Sequence, residues 1–315
     1  MDKNDVIFVT SHQEMIGSAL LRRLNKDGFD KLVVRTPSEL DLTDQLTVFE
    51  FFSVEKPDYV FLNSARVGGI LANSKYPAEF IYENIQGQTN VIHAAWKYGV
   101  KKLLYFGSSC IYPKNSPQPM KEEYLLTDRI EPTSEPYAIA KITGIRMCQA
   151  YNKQYDTNFI SAIPGDVYGP HDDFNPETGH VLPSLIAKMH RAKAHGEAEV
   201  VLWGTGSSRR ETLHVDDLAD ACVYLMNTYN DSEMINVGAG TDLSIKEMAN
   251  LIKDIVGFHG DIIFDESKPD GIPRKLLDNS RIENLGWTPK INVNEGIRQT
   301  YRWYLEHAEA LVSSP

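Results

Sequence analysis

The chain has 315 residues, enough to bury a full core as one large or two small domains, and its 42% hydrophobic and 24% charged content is that of an ordinary globular protein. Its net charge of -11 argues against a nucleic-acid partner, and any phosphate-bearing ligand has to be held by a local basic site against an unfavourable global field. No apolar stretch approaches spanning length and no signal peptide fits Met1-Asp-Lys-Asn-Asp5, so a membrane partner is not expected. Cys110, Cys148 and Cys222 lie far apart, with neither metal spacing nor a disulfide framework. The expectation is a metal-free cytoplasmic protein.

Short β-branched or apolar runs at 6–10, 31–35, 59–63, 102–106 and 158–163 predict strands. Between them, helical periodicity covers 15–26, 46–55, 78–98 and 137–155. That alternation predicts an α/β fold, a Rossmann-type doubly wound parallel sheet. The texture changes after Ile163: residues 164–179 read as loop, followed by a helix over 181–194 and a strand over 200–203. Leu213-His-Val-Asp-Asp217 opens a helix with Asp216 or Asp217 as its expected N-cap. A strand at 235–238 and helices near 244–256, 280–285 and 294–307 complete the chain. The expected division is a Rossmann domain of residues 1–165 and 211–240 and a smaller α/β substrate domain of 166–210 and 241–315. The cleft between them is the default site.

Tyr137-Ala-Ile-Ala-Lys141 places a tyrosine and a lysine on one helix face. The ammonium is expected to draw the phenol down from its ordinary value of about 10. Ser108, at the end of the preceding strand, is placed to bond the same substrate oxygen. Such a trio moves a hydride onto or off a carbonyl carbon while a proton moves at its oxygen. A lone tyrosine and lysine at this spacing is usually a solvated helix face. Strand, loop serine, then helical tyrosine and lysine is a far rarer succession, and the catalytic reading is preferred. Cys110, two residues after Ser108, is an addition that a plain reductase does not need.

A dinucleotide fold carries glycines after its first strand, where backbone approaches the pyrophosphate at a helix N-terminus. Here the segment is Ser11-His-Gln13-Glu14-Met15-Ile16-Gly17, and only Gly17 matches G-x-x-G-x-x-G. Ser11 stands at the tight turn and Glu14 at the close approach, where a carboxylate is unwelcome beside a pyrophosphate. Arg35 ends the second strand where NAD-selective proteins carry an acid. It either meets the 2'-phosphate of NADP or is a solvated strand-end arginine. In Asp41-Leu42, Asp41 either holds the adenine edge or caps a helix.

With Ser108, Cys110, Tyr137, Lys141 and His180 in place, the chain resembles the GDP-L-fucose synthases over nearly its whole length. These are extended short-chain dehydrogenases/reductases that convert GDP-4-keto-6-deoxy-D-mannose to GDP-L-fucose. The runs that carry the resemblance are Ala65-Arg-Val-Gly-Gly-Ile70, Gly107-Ser-Ser-Cys-Ile-Tyr-Pro113, Glu135-Pro-Tyr-Ala-Ile-Ala-Lys141, Tyr168-Gly-Pro-His-Asp172 and Ser267-Lys-Pro-Asp-Gly-Ile-Pro-Arg-Lys-Leu-Leu-Asp278. The resemblance implies that Tyr137 protonates the C4 oxygen, Lys141 tunes it and holds the nicotinamide ribose, and Ser108 binds the same oxygen. Cys110 and His180 match the acid/base pair that epimerises C3 and C5. Without the family, Cys110 reads as a small buried residue and His180 as a surface histidine or cap.

The implied cofactor is NADP, along Ser11, Gln13, Glu14, Met15, Ile16, Gly17, Arg35, Asp41, Leu42, Lys141, Pro164, Val167 and His180. Lys188, Trp203, Arg210, Lys268 and Asp278 are implied for the GDP-sugar substrate. On residue chemistry alone, Trp203 could be core and Arg210 could pair with Glu211. A homodimer through helices 78–98 and 137–155 is also implied.

The chain departs from the family pattern at Ser11, Gln13 and Glu14, at Asn63-Ser64, at Gly165-Asp166 in place of Thr-Asn, and at Lys188 in place of arginine. These changes point to weakened NADP affinity, an altered cofactor pose, or another 4-keto sugar such as a heptose. A relative retaining only reduction or only epimerisation, or a nucleotide-sugar-binding protein without chemistry, are the competing readings. A dehydratase is disfavoured, because Ser109-Cys110 stand where that branch places a glutamate.

Overall fold

In the first half of the chain, strands β1 (Ile7–Val9), β2 (Leu32–Val33), β3 (Tyr59–Leu62), β4 (Lys102–Phe106) and β5 (Phe159–Pro164) alternate with helices α1 (Met15–Lys26), α2 (Gln45–Glu55), α3 (Ile70–Lys75), α4 (Pro77–Lys97) and α5 (Glu135–Tyr155). The computed structural model describes residues 1–63, 66–68, 70–176 and 178–312. Strand β9 (Ile235–Val237) joins the first five in one parallel sheet of order β2-β1-β3-β4-β5-β9. A parallel sheet covered on both faces needs apolar side chains on both, which is why its strands read as continuous apolar runs.

The period of two sorts those side chains. Ile7, Val9, Phe61, Leu104, Phe106, Ile160 and Ala162 face a core shared with α1 and with α7 (Val215–Thr228). Phe8, Val60, Leu62, Leu103, Tyr105, Phe159 and Ile163 face the opposite core, against α2, α4 and α5. The expected doubly wound sheet is therefore the observed one.

The remainder is built from shorter pieces. Residues 164–170, expected as loop, contain β6 (Asp166–Tyr168), and residues up to 214 form β8 (Arg209–His214). β6 runs parallel to β8, with Asp166 opposite Thr212 and Tyr168 opposite His214. β10 (Asp242–Ser244) and β12 (Arg274–Lys275) also pair with β8, while β7 (Glu199–Trp203) pairs with β11 (Asp261–Asp265). The strand expected over 200–203 is β7, whose Val-Val-Leu run shows in sequence, whereas β6, β8, β10 and β12 are too short or too polar to carry that signature.

The N-cap of α7 is His214, not Asp216 or Asp217: the Asp216 N–H donates to His214 Nδ1 at 3.3 Å. Asp217 instead accepts from the backbone N–H groups of Lys290 and Ile291, because β8 continues buried up to His214.

Helices α6 (Val181–His195), α8 (Ile245–Val256) and α10 (Val293–Val312) pack with β7 around a third core that includes Ile186, Met189, Leu202, Ile252 and Tyr301. The short α9 (Ser280–Asn284) closes back on the large sheet through Ile282. Strand β8 crosses residue 210/211, where the two domains were expected to divide. Among the described residues no helix is long and apolar enough to cross a membrane.

Candidate active site

The cofactor end begins at the turn after β1. Ser11 has φ +50°, the left-handed conformation that a glycine adopts freely. A Cβ on Gly17 would lie 2.1 Å from Ser11 O, so only glycine lets α1 close on this turn. Glu14 is the N-cap residue of α1 and makes no capping bond with its side chain. Its carboxylate takes a hydrogen bond from Ser11 and faces Lys141, and burial raises its pKa against both. Gln13 is exposed, while Met15 and Ile16 pack on the first core.

Arg35 is not a solvated strand end. It pairs with Glu55, donates to Val34 O at 2.7 Å, and lies 5.4 Å from the Phe51 ring centroid. Asp41 accepts from Thr43 N and Oγ1 at 2.8 and 2.7 Å, and the cap of α2 is Asp44. Leu42 lies against α4, where Asn90 donates to its carbonyl. Pro164 ends β5, and Val167 on β6 packs against the first core.

The catalytic end lies at the tip of β4. Gly107 follows the strand because a Cβ there would meet Ile163 Cδ1 at 2.4 Å. Ser108 then caps a single 3-10 turn, Ser109–Ile111, with the Cys110 N–H donating to its Oγ at 3.4 Å. Tyr137, in the first turns of α5, lies beside Ser108 and stands edge-on to Phe80 at 6.4 Å. Lys141, one turn later and only 2% exposed, donates to Phe106 O at 2.9 Å and lies 5.7 Å from the Tyr137 ring centroid.

The phenol of Tyr137 is pushed well above its ordinary range, not drawn toward neutrality. Burial is the main cause and Cys110 adds to it, with Ser108 opposing both. Burial also pushes Lys141 down to about 8, so desolvation outweighs mutual stabilisation. The Cys110 thiol is raised by burial, opposed by its Ser108 bond and by the ammonium groups of Lys275 and Lys141.

His180 is the exposed N-cap residue of α6. It lies within electrostatic reach of Asp166, whose Oδ1 accepts from Lys275 Nζ at 2.7 Å. The fold thus gathers Ser108, Cys110, Tyr137 and Lys141 around one point, with the Asp166–Lys275 pair between Cys110 and His180. Asp166 and Lys275 are not among the expected site residues, although Asp166 lies at a departure from the family pattern and Lys275 in a run that carries the resemblance.

At the nucleotide end, a cleft of about 260 Å³ is lined by Val181, Leu185, Leu202, Trp203, Gly206, Ser208, Arg210, Ile245, Pro269, Asp270 and Gly271. Trp203 is 70% exposed and so is not core; Lys268 Nζ lies 5.8 Å from its ring centroid. Arg210 does not pair with Glu211 but donates to Ile272 O at 2.6 Å. Lys188 donates to Val201 O. Asp278 is not part of this lining: its carboxylate takes the Ser280 N–H at 2.9 Å at the start of α9. The aspartate in the cleft is Asp270, which accepts from Thr205 N and Oγ1 and was missed because Asp278 closes the same sequence run.

Of the run 65–70, Ala65 and Gly69 lie outside the described residues, as does Ser64. Arg66 is described: its guanidinium pairs with Glu79 and Glu83 on α4, beside Phe80.

The model of the NAD dependent epimerase/dehydratase family matches residues 7–238. GDP-L-fucose synthase 1 of Arabidopsis thaliana is 56% identical over 306 residues, covering 97% of this chain and 95% of that protein. The chain belongs to the GDP-L-fucose synthase family. GDP-L-fucose synthase of Escherichia coli (strain K12) is 48% identical, covering 96% and 97% of the two chains. Among solved structures, a GDP-L-fucose synthetase from Naegleria fowleri bound to NADP superposes with a TM-score of 0.93 at 30% identity, covering 98% of this chain and 95% of that one. A GDP-6-OMe-4-keto-L-xylo-heptose reductase from C. jejuni does so at 0.92 and 39%, covering 98% and 99%.

Proposed function

We propose that this member of the GDP-L-fucose synthase family epimerises GDP-4-keto-6-deoxy-D-mannose at C3 and C5 and reduces it at C4 with NADPH, giving GDP-L-fucose. The observation that carries this reading is the convergence of Ser108, Cys110, Tyr137 and Lys141 at the tip of β4; His180 stands at the start of α6, within electrostatic reach of Asp166.

The turn after β1 fits a dinucleotide. Ser11 adopts the backbone of the missing glycine, Gly17 leaves the close approach open, and the first turn of α1 has no acidic residue and no side-chain cap on its N–H groups. Met15, Ile16 and Gly17 would meet the pyrophosphate there, with Gln13 beside them and the Glu14 carboxylate held toward Ser11 and Lys141. Arg35 would exchange Glu55 for the 2'-phosphate, Asp41 and Leu42 would border the adenine, and Pro164, Val167 and His180 would flank the nicotinamide. NADPH supplies the hydride for C4.

Both epimerised carbons flank the C4 ketone, so removing either proton places negative charge on the C4 oxygen. Tyr137 and Ser108 stabilise that oxygen by hydrogen bonding, and Cys110 and His180 act as the acid/base pair. A phenol held high by burial is protonated near neutral pH, the state required to donate to the C4 oxygen at reduction. Lys141 orients the ribose and supplies positive charge beneath the phenol. Trp203, Lys188, Arg210 and Lys268 would hold the nucleotide end, two of them cations already aimed at backbone carbonyls that a diphosphate would replace.

Residues 1–165 with 211–240 act as the cofactor domain and residues 166–210 with 241–315 as the substrate domain, β8 joining them. A homodimer would form across α4 and α5, which carry a surface cluster of His93, Trp96, Tyr151 and Tyr155, with Trp96 stacked on Tyr155 at 4.3 Å. The three cysteines are unpaired, and the enzyme is assigned to the reducing cytoplasm.

A second reading, C4 reduction of a GDP-4-keto heptose, is supported by the Gly165-Asp166 wall and the likeness to the C. jejuni heptose reductase. Incubation with GDP-4-keto-6-deoxymannose and NADPH, with NMR of the product, separates the two. GDP-L-fucose is the expected product. Recovery of an unepimerised 4-hydroxy sugar, or no turnover, would overturn the first reading.

A further inference from the structure

Strands β6 and β12 both run parallel to β8 at adjoining stretches of that strand. Asp166 stands opposite Thr212 and Lys275 opposite Arg210, so the two short strands meet where their facing residues are an aspartate and a lysine. Lys275 Nζ donates to Asp166 Oδ1 at 2.7 Å, and their side chains are 23% and 29% exposed.

The charges around it are specific. Asp166 faces Lys275, His180 and Arg210, and its charge also reaches Glu211. Lys275 faces Asp166, Arg210 and Cys110. Cys110 is surrounded by Ser108, which bonds its thiol, by Tyr137 and Tyr105, and by two ammonium groups, those of Lys141 and Lys275. Lys141 is committed to Phe106 O and lies against the Tyr137 ring. Lys275 approaches from the opposite domain and has no other part in the catalytic set.

We propose that Lys275, anchored by Asp166, is a positioning residue that supplies positive charge to the Cys110 thiol, and that Asp166 sets how much of that charge Cys110 receives. An ammonium beside a thiol favours its thiolate, and a carboxylate bonded to the ammonium offsets part of the effect. Asp166 stands where the family pattern has an amide. This chain therefore has a weaker positive field at Cys110 than an asparagine at 166 would leave, and a Lys275 held more firmly in place. The inference deepens the reading of Cys110 as an epimerisation acid/base and rests on it.

Alkylation tests it directly on the full chain. The thiolate sulfur displaces iodide from iodoacetamide, so the rate against pH reports the thiol equilibrium. Cys148 and Cys222 are fully buried, leaving Cys110 as the reporting thiol. Lys275→Met should move the midpoint up by about one pH unit, slowing alkylation below the midpoint about tenfold, and Lys275→Arg should restore it. Asp166→Asn, which keeps the shape, should move the midpoint down by about half a unit.

A Lys275→Met profile that superimposes on wild type, in a protein of unchanged circular dichroism, overturns the proposal. So does an upward shift in Asp166→Asn, which decides the matter if Lys275→Met does not fold. Failure of the underlying reading looks different: Cys110→Ser would then exchange the substrate C3 and C5 protons with solvent at the wild-type rate, whatever the alkylation profiles show.

Discussion

The large sheet and the small sheet both contribute to the candidate active site but are held together by different physics. In the large sheet, β4 is buried along its whole length and its neighbour β3 carries Val60, Phe61 and Leu62 at 0% exposure. In the small sheet, β8 and its partners carry Arg209, Arg210, Glu211, Asp242, Arg274 and Lys275. They are joined by ion pairs such as Arg209–Asp242 at 2.8 Å and Lys275–Asp166 at 2.7 Å. The first arrangement gives rigidity and stability from area removed from water. The second leaves charged side chains paired with one another and partly exposed. A scaffold built this way can change residues such as Gly165-Asp166 while its stability resides elsewhere.

The largest test of that contrast is Phe61→Ala, which opens a cavity in the middle of the large sheet and should cost about 3–5 kcal/mol in urea unfolding. Asp242→Asn, which loosens two ion pairs of the small sheet, should lower the unfolding midpoint far less. Equal losses would abolish the distinction.

Chemistry should divide in a related manner. Tyr137→Phe removes the acid at C4 and should lower NADPH oxidation about 100-fold or more, while deuterium incorporation at C3 and C5 continues. Cys110→Ser should do the reverse, suppressing exchange and permitting slow reduction of the unepimerised ketone. The pair of measurements uses a stopped absorbance assay at the NADPH band and NMR in heavy water.

Glu211 joins the two regions. Its carboxylate, 2% exposed, accepts from the N–H groups of Gly240 and Leu277 and lies where a Cβ on Gly165 or Gly238 would stand. Burial raises its pKa to about 7. The folded protein therefore holds a proton on this group that the unfolded chain has lost by about pH 5. Stability contributed here is greatest below the unfolded value and falls as pH rises toward 7, by about 2–3 kcal/mol. Urea midpoints at pH 5 and pH 8 should show that slope, and Glu211→Gln should flatten it; an unchanged slope assigns the pH dependence to other groups.

Arg35→Ala should weaken NADPH by roughly 1.5–3 kcal/mol and leave NADH nearly unchanged, as titration calorimetry can determine. Equal losses would show that Arg35 keeps its Glu55 partner in the complex. The smallest effect is expected at the turn after β1, where Ser11→Gly with Glu14→Gly should tighten NADPH modestly and leave GDP binding as it was. A weaker complex would mean that the present loop already suits the cofactor.

The large-sheet half was readable because burial on both faces demands long apolar runs, and the helices between them are long enough to show against those runs. Met15–Lys26 is found where its pattern placed it, and Lys102–Phe106 likewise. The small sheet was not readable. Three-residue β6 and two-residue β12 have too few side chains to show a period, and β8 spells Arg-Arg-Glu-Thr-Leu-His.

Residue chemistry alone suggested the spacing of Tyr137 and Lys141, and the family pattern added Cys110 and His180. The apposition of Asp166 and Lys275 joins residues 109 positions apart, and no local pattern can contain it. The direction of the Tyr137 shift was also decided by tertiary structure. Sequence shows a lysine one turn away, but only the packed site shows that burial outweighs it. Local order and family membership were settled by covalent sequence because turns, caps and apolar periods act over a few residues. Which charges face which, and how far each is withdrawn from water, was settled by the meeting of distant strands, since electrostatic energy depends on distance and solvent exposure rather than on position along the chain.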